Sequence, residues 1–368
     1  MNIERVILSG GGTGGHIFPA LAIANEIRNR YPSAEILFVG ALGRMEMEKI
    51  PVAGYKIIGL PIIGFPRNFS LKMITFFMKL FKSVSLARKI VNDFKPQVVI
   101  GVGGYASGPL LWVAACERIP TIIQEQNSYA GITNKILGKK VNAICVAYNK
   151  MERFFPVDKI KFTGNPVRGN LVQNWPDTTE AFTYFGLNET DKVILITGGS
   201  LGARSINNAV LRNINLITKL DIQIIWQTGT LYYDKITEEL KAIKSPNLQI
   251  HRFITRMDFA YQVADVVISR AGAGTISELC LLGKPSILVP SPNVAEDHQT
   301  KNALALVEKE AVVIIHDNEI NEKLLPEAIE LINDEIKRNK LSEQIKTMAK
   351  PNATKDIVSE VEKIMIHK

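Results

Sequence analysis

The sequence predicts an α/β protein built from two Rossmann-like domains, each a parallel sheet covered by helices. Three observations carry this prediction. Short Val- and Ile-rich runs alternate with helical stretches along all 368 residues. The runs are short and apolar without strict alternation, as expected of strands covered on both faces. Two strand–glycine combinations of the first half also recur, in the same order, in the second half.

The runs include Arg5–Leu8, Glu35–Val39, Gln97–Gly101, Thr121–Gln124, Lys192–Thr197, Gln223–Gln227, Val266–Ser269 and Ser286–Val289. Strands separated by helices imply βαβ units and parallel sheets. Val6–Gly11 is echoed by Val193–Gly199, and Pro96–Gly104 by Ala264–Gly274. Thr163–Arg168 contains Gly-Asn-Pro, a turn or hinge signal. The expected domains are therefore 1–164 and 165–345. An amphipathic C-terminal helix within 346–368 should pack back on the first domain, with Ile357, Val358, Val361, Ile364 and Met365 on one side.

Composition narrows the function classes. Hydrophobic residues make up 46%, enough for two cores, and charged residues 22%, an ordinary globular share. No apolar run reaches the roughly 18–20 residues that span a bilayer. The opening MNIERVILSGGG has no signal-peptide pattern, so a cytoplasmic location is expected. Cys116, Cys145 and Cys280 are isolated in apolar surroundings, and all three are expected to be buried small hydrophobes. The net charge of +8 admits a nucleic acid or an anionic membrane as partner.

Gly10–His16 follows a strand and is expected to precede a helix over Ala20–Arg30. Backbone N–H groups at such a place attract anions, and glycines let a ligand come close. Gly10, Gly12 and Gly15 satisfy G-x-G-x-x-G, so a dinucleotide enzyme is the alternative. That alternative needs an acid at the end of the second strand to hold a ribose, and Phe38-Val39-Gly40-Ala41 supplies none. A P-loop is excluded because no Gly-Lys-Ser/Thr follows. His16, beside the glycines, is either a general base or a packing residue.

In the second half, Gly198–Arg204 and Ser269–Glu278 form two further strand–loop–helix junctions. Together they suit a diphosphate joined to a ribose, with Ser200 bonding phosphate and Glu278 accepting from ribose hydroxyls. Arg168 is a candidate to offset charge on a departing diphosphate. Asp297-His298-Gln299 is either a sugar-hydroxyl reader or a solvated loop. No Asp-x-Asp triplet or His/Cys cluster occurs, which disfavours a metal.

Taken together, Gly11–His16, Gly103–Gly108, Glu125-Gln126-Asn127, Gly164–Arg168, Gly198–Ala203 and Ala273–Glu278 resemble the motifs of the MurG family, in order and over nearly the whole chain. The resemblance implies a GT-B fold, two Rossmann-like domains facing across a cleft that closes about Gly164–Pro166. It implies inverting, metal-independent and cofactor-free transfer of N-acetylglucosamine from UDP-GlcNAc to lipid I, giving lipid II for peptidoglycan. It assigns Thr13, Gly14, Gly15 and Asn127 to sugar and diphosphate, and Arg168 and Ser200 to phosphate. Ile254 is assigned to uracil through its backbone. Ala273, Gly274, Thr275, Ile276, Ser277 and Glu278 fall to diphosphate and ribose, and Gln299 to the sugar. His16 matches the family's base candidate. Gln124 departs from the pattern, since many relatives carry His there, which leaves His16 and Glu125 as candidate bases. Another GT-B enzyme, a glycolipid glycosyltransferase or a UDP-GlcNAc epimerase, remains the alternative. A non-catalytic UDP-sugar module is opposed by His16, Arg168 and Glu278 together.

Lipid I implies a membrane surface. Ser70–Ile90 is expected to be a helix with Leu71, Met73, Ile74, Phe76, Phe77, Met78, Leu80 and Phe81 opposite Lys72, Thr75, Lys79, Lys82 and Lys89. Between 62 and 95 stand seven basic residues and one acid, Asp93. That is the composition of an interfacial helix on an anionic cytoplasmic membrane. Ile74, Phe76, Phe77, Lys79, Phe81 and Lys82 are the expected contacts. Nucleic acid is not expected, because the basic residues are interleaved with Phe, Met and Ile and no recognition motif accompanies them. The resemblance also points to cell-wall synthesis proteins as partners.

Overall fold

A computed structural model describes residues 2–65, 71–167, 171, 177–243 and 245–366. The chain divides into two compact units, Met1–Arg168 together with Lys350–Lys368, and Gly169–Ala349.

The first unit runs β1 (Arg5–Ser9), α1 (Gly14–Arg30), β2 (Glu35–Ala41), α2 (Glu46–Val52), β3 (Lys56–Leu60), α3 (Leu71–Phe94), β4 (Val98–Gly101), α4 (Ser107–Cys116), β5 (Thr121–Glu125), α5 (Ile132–Gly138), β6 (Ala143–Val146) and β7 (Ile160–Phe162). Its strands lie in the order β3-β2-β1-β4-β5-β6-β7, and neighbours are parallel throughout. Alternate residues of β1 serve opposite faces. Val6 and Leu8 pack with Ile17, Ala20 and Ile23 of α1, while Ile7 packs with Leu110 and Leu111 of α4. A strand buried on both sides favours apolar residues at successive positions, hence the apolar runs without strict alternation.

The second unit runs α6 (Thr178–Phe185), β8 (Lys192–Thr197), α7 (Arg204–Arg212), α8 (Ile214–Ile217), β9 (Ile222–Gln227), α9 (Tyr233–Glu239), β10 (Leu248–His251), α10 (Met257–Val263), β11 (Val266–Ser269), α11 (Ala273–Leu282), β12 (Ser286–Leu288), α12 (His298–Val307), β13 (Val313–Ile314), α13 (Ile320–Asn333) and α14 (Glu335–Lys346). The sheet order is β10-β9-β8-β11-β12-β13, again parallel. Val193 and Leu195 face one core, Ile194 and Ile196 the other.

The last helix, α15 (Ala353–Ile366), belongs to the first unit. Its Ile357, Val358, Val361 and Met365 join the α1 side of that core. Arg30 bonds Glu362 at 3.0 Å and the Lys355 carbonyl at 2.9 Å.

Three details differ from expectation. Helix α1 begins at Gly14 instead of Ala20, because the Thr13 carbonyl accepts from His16 and Ile17 N–H at 3.1 and 3.2 Å. Pro19 sits inside the helix, where its missing N–H makes the sequence look like a helix start. Helix α3 continues to Phe94, beyond Ile90. Cys116, at the end of α4, is exposed; Cys145 and Cys280 are buried, and burial pushes both thiols up to about 12. Among the described residues no helix is long and apolar enough to cross a membrane.

Candidate functional site

Both sheets reverse their winding at one place, between β1 and β4 in the first and between β8 and β11 in the second. In open parallel sheets, loops diverge beyond the strand C-termini at such a point and leave a ligand crevice. The four loops there are the four glycine-rich stretches of the sequence. Ser9 pairs with Gly101, and Thr197 with Ser269, just before them.

In the first unit the two loops press together. A Cβ at Gly10 would stand 2.0 Å from Val102 Cγ2. Gly104, at φ +91°, would carry a Cβ 2.6 Å from the Gly11 carbonyl oxygen. Only glycine permits this approach. Ser107 Oγ donates to the Ser9 and Gly103 carbonyls at 3.0 and 2.9 Å, tying the loop after β4 to the end of β1.

His16, half-buried, lies in the first turn of α1 with its ring against Gly103, where a Cβ would meet Nε2 at 2.8 Å. Its Nδ1 is 3.0 Å from the Gly11 carbonyl oxygen. A carbonyl only accepts, so Nδ1 carries the proton of the neutral ring and Nε2 is the basic nitrogen. Thr13 and Gly15 are exposed beside it, and Gly14 is half-buried.

Beneath the loop lies Glu46, which the sequence argument missed. It is fully buried. Its Oε2 accepts from Gly12 N–H at 2.8 Å and its Oε1 from Ala41 N–H at 3.0 Å. A Cβ at Gly11 would overlap the carboxyl group, 2.1 Å from Oε1. An acid therefore does follow β2, five positions beyond the place where a ribose-binding acid stands, and it is turned inward onto the glycine loop.

Glu125 and Asn127 stand at the end of β5. Glu125 is also buried, and its carboxylate accepts from Asn127 N–H (3.0 Å), Asn127 Nδ2 (3.3 Å), Gly131 N–H (3.1 Å) and Asn134 Nδ2 (2.8 Å). Four donors occupy it, so it braces the turn into α5, and this geometry opposes its expected role as a base. Gln124 is buried as well. Its Nε2 donates to Asn165 Oδ1 at 2.8 Å, and Gln126 Nε2 donates to Gln124 Oε1 and, at 2.7 Å, to the Val102 carbonyl. This amide network fastens the Gly164–Asn165 turn to β5.

In the second unit, α11 presents its N-terminus after Gly272. A Cβ at Gly274 would meet nothing within 4 Å, so the approach to the helix end is open. The first N–H groups of a helix lack internal partners; here those belong to Ala273, Gly274 and Thr275. Ile276 differs from the expectation, since its N–H donates to the Gly272 carbonyl at 2.9 Å and its side chain is in the core. Ser277 Oγ is likewise engaged, donating to the Ala273 carbonyl at 2.9 Å. Glu278 is buried, with Oε2 accepting from Tyr261 at 2.9 Å.

Ser200, in the loop after β8, is half-buried beside exposed Gly199. Gln227 locks this region. Its Nε2 donates to Thr197 Oγ1 (3.1 Å) and the Gly199 carbonyl (3.0 Å), and its Oε1 accepts from Ile254 N–H at 2.8 Å. Ile254 thus has its N–H committed, which leaves only its carbonyl for the expected uracil contact. Gln299 Oε1 accepts from Ser291 N–H at 2.9 Å, which turns the amide into place at the start of α12. Arg168 lies outside the described residues. Among the described residues, no group of three His, Cys, Asp or Glu is placed to hold a metal ion.

The glycosyltransferase family 28 N-terminal domain model matches residues 6–146, and the family's C-terminal domain model matches residues 193–361. A relative from Parabacteroides distasonis, a UDP-N-acetylglucosamine–N-acetylmuramyl-(pentapeptide) pyrophosphoryl-undecaprenol N-acetylglucosamine transferase, is 55% identical over 365 residues, 99% of each chain. The chain belongs to the MurG family. The crystal structure of Acinetobacter baumannii MurG aligns with a TM-score of 0.75 at 29% identity, over 98% of this chain and 99% of that one. A UDP-GlcNAc 2-epimerase from Neisseria meningitidis aligns with a TM-score of 0.67 at 17% identity, over 98% and 100%, a likeness of fold alone.

As a member of the MurG family the chain is a glycosyltransferase of GT-B fold, as its two parallel-sheet units indicate. The helix α3 of this MurG-family chain is amphipathic in an unusual sense. Ala87, Ile90 and Val91 are buried, whereas Ile74, Phe77, Met78 and Phe81 are 60%, 46%, 67% and 72% exposed on its N-terminal half. Phe76 is half-buried, edge-on to Phe65 and Phe77, and Lys79 is half-buried, while Lys82 is exposed.

Proposed function

We propose that the chain transfers N-acetylglucosamine from UDP-GlcNAc to the C4 hydroxyl of the muramoyl sugar of undecaprenyl-diphospho-N-acetylmuramoyl-pentapeptide, with inversion. Full-length likeness to transferases of that name carries the substrates. The orientation of His16 carries the mechanism. Its Nδ1–H is held by Gly11, so Nε2 is the nitrogen that takes the acceptor's proton. As that proton leaves, the acceptor oxygen bonds to the anomeric carbon on the face opposite the diphosphate. The bond from that carbon to the diphosphate oxygen breaks, and UDP departs with the electron pair. The N–H groups of Ala273, Gly274 and Thr275, with Ser200 and Arg168, stabilise the charge growing on the diphosphate. Glu278 accepts from ribose hydroxyls and Gln299 Nε2 donates to the sugar. Thr13, Gly14, Gly15 and Asn127 serve the sugar and diphosphate of UDP-GlcNAc from the first unit's side. Glu125 positions Asn127 and does not move a proton.

The exposed stripe Ile74, Phe77, Met78 and Phe81, flanked by lysines, suits a peripheral protein at the anionic cytoplasmic face of the plasma membrane, where a lipid-linked acceptor resides.

The test incubates purified protein with UDP-GlcNAc and a short-chain acceptor analogue in the presence of EDTA. A disaccharide-lipid product with a β linkage is expected. No product, or product only after metal is restored, would overturn the assignment.

A further inference from the structure

Glu46 holds a buried negative charge for which the described residues supply no ion-pair partner; its oxygens meet only backbone N–H groups. A buried carboxylate is tolerated where hydrogen bonds satisfy it, and these two bonds fix where it lies. The Gly12 N–H that binds Oε2 and the Gly11 carbonyl that binds His16 Nδ1 are the two ends of one peptide unit. The line therefore runs from carboxylate to N–H, through the peptide, to C=O and on to the imidazole N–H. Hydrogen bonds in series polarise one another. A carboxylate on the N–H side makes the carbonyl a stronger acceptor. A stronger acceptor fixes the proton on Nδ1 and keeps Nε2 basic.

We propose that Glu46 is a positioning residue for the transfer, acting on His16 through the Gly11–Gly12 peptide. It serves as the orienting carboxylate of a catalytic triad does, with one peptide unit interposed where the triad has direct contact. When Nε2 takes the acceptor's proton, the ring becomes a cation. The buried charge of Glu46 is then the anion closest along the hydrogen-bond line, stabilising that transient state. The glycines at 11 and 12 follow from this. A side chain at Gly11 would displace the carboxylate, and the peptide must turn one end to Glu46 and the other to His16. The inference rests on His16 being the base.

Two measurements test it. In the wild-type protein, the ¹⁵N shifts of the His16 imidazole should show the neutral ring protonated on Nδ1; a ring protonated on Nε2 would overturn the proposal without any variant. The second is a cycle of Glu46→Gln, His16→Ala and the double variant. A Gln side chain has one acceptor oxygen and no charge, so it cannot serve both N–H groups. Glu46→Gln should lower kcat about 10- to 100-fold, as loss of an orienting partner does, with KM for UDP-GlcNAc little changed and some His16 protonated on Nε2. His16→Ala should lower kcat about 100- to 10,000-fold, and adding Glu46→Gln to it should cost little more. A Glu46→Gln loss that adds in full to that of His16→Ala would show a purely structural brace and sink the relay. Undiminished turnover in His16→Ala would instead remove His16 as base, a different failure visible in its own arm.

Discussion

Two buried carboxylates at the first unit's loops show how residue identity and role separate. Glu125, inside a recognisable motif, is occupied by four donors and braces a turn. Glu46, in no motif used above, holds the peptide that orients His16. Sequence shows which side chains can carry chemistry, but the direction each one faces depends on residues far away in the chain. Gln227 is a similar case. A polar residue ending the strand Ile222–Gln227 signals a specific partner, yet its partners at Thr197, Gly199 and Ile254 appear only once the strands are side by side. Lys284 shows the same dependence in its electrostatics. Its amine is pushed against the Ala264 carbonyl at 2.8 Å, and burial lowers it from 10.5 to about 8. Between those values the unfolded chain binds more protons than the folded one, so stability rises with pH from about 8 to 10.5, and below pH 8 the charged amine is a constant penalty. The difference between wild type and Lys284→Met in pH-dependent urea unfolding should change across that window by on the order of 2 kcal/mol, discounted because the side chain is partly exposed. A flat difference would refute the shift.

Among elements, the central strands were legible and the margins were not. Eight apolar runs correspond to β1, β2, β4, β5, β8, β9, β11 and β12, which are covered on both faces. The strands β3, β7, β10 and β13 are the edges of the two sheets. There burial is incomplete, as in the alternating exposure of Lys56–Leu60, and the apolar signal fades. The inner strand β6, Ala143–Val146, was also missed, although it is buried throughout and as long as β4 and β11. Helix α3 was legible as amphipathic, but sequence could not divide its apolar residues between core and solvent. The structure assigns Phe77 and Phe81 to solvent and Phe76 partly to its aromatic neighbours. Phe77→Asp/Phe81→Asp should therefore reduce flotation with vesicles rich in anionic lipid while leaving the thermal transition nearly unchanged, since exposed positions contribute little to folding. Equal flotation of variant and wild type would remove α3 as the membrane contact.

For the whole molecule, the repeated strand–glycine pairs proved to be the strands flanking each winding reversal, β1 with β4 and β8 with β11. That is why a resemblance in sequence between the halves also located the candidate site. The assignment of the last helix has its own energetic signature. Ile357 is fully buried in the first unit's core. Ile357→Ala should cost about 2–5 kcal/mol, and hydrogen exchange should quicken in β1, β2 and β4 while β8, β9 and β11 keep their protection. Faster exchange confined to the second unit's strands would contradict this.

Because α15 completes the core around α1, the unit whose synthesis starts first is finished last. The ribosome delivers all of Gly169–Ala349 before Ile357, Val358 and Val361 emerge. Until then the apolar surface of α1 that they cover stays open to water. The second unit has every residue of its own core available earlier. Folding during synthesis should therefore complete the second unit before the first, with the glycine loop and His16 set on a finished scaffold only after α15 has emerged.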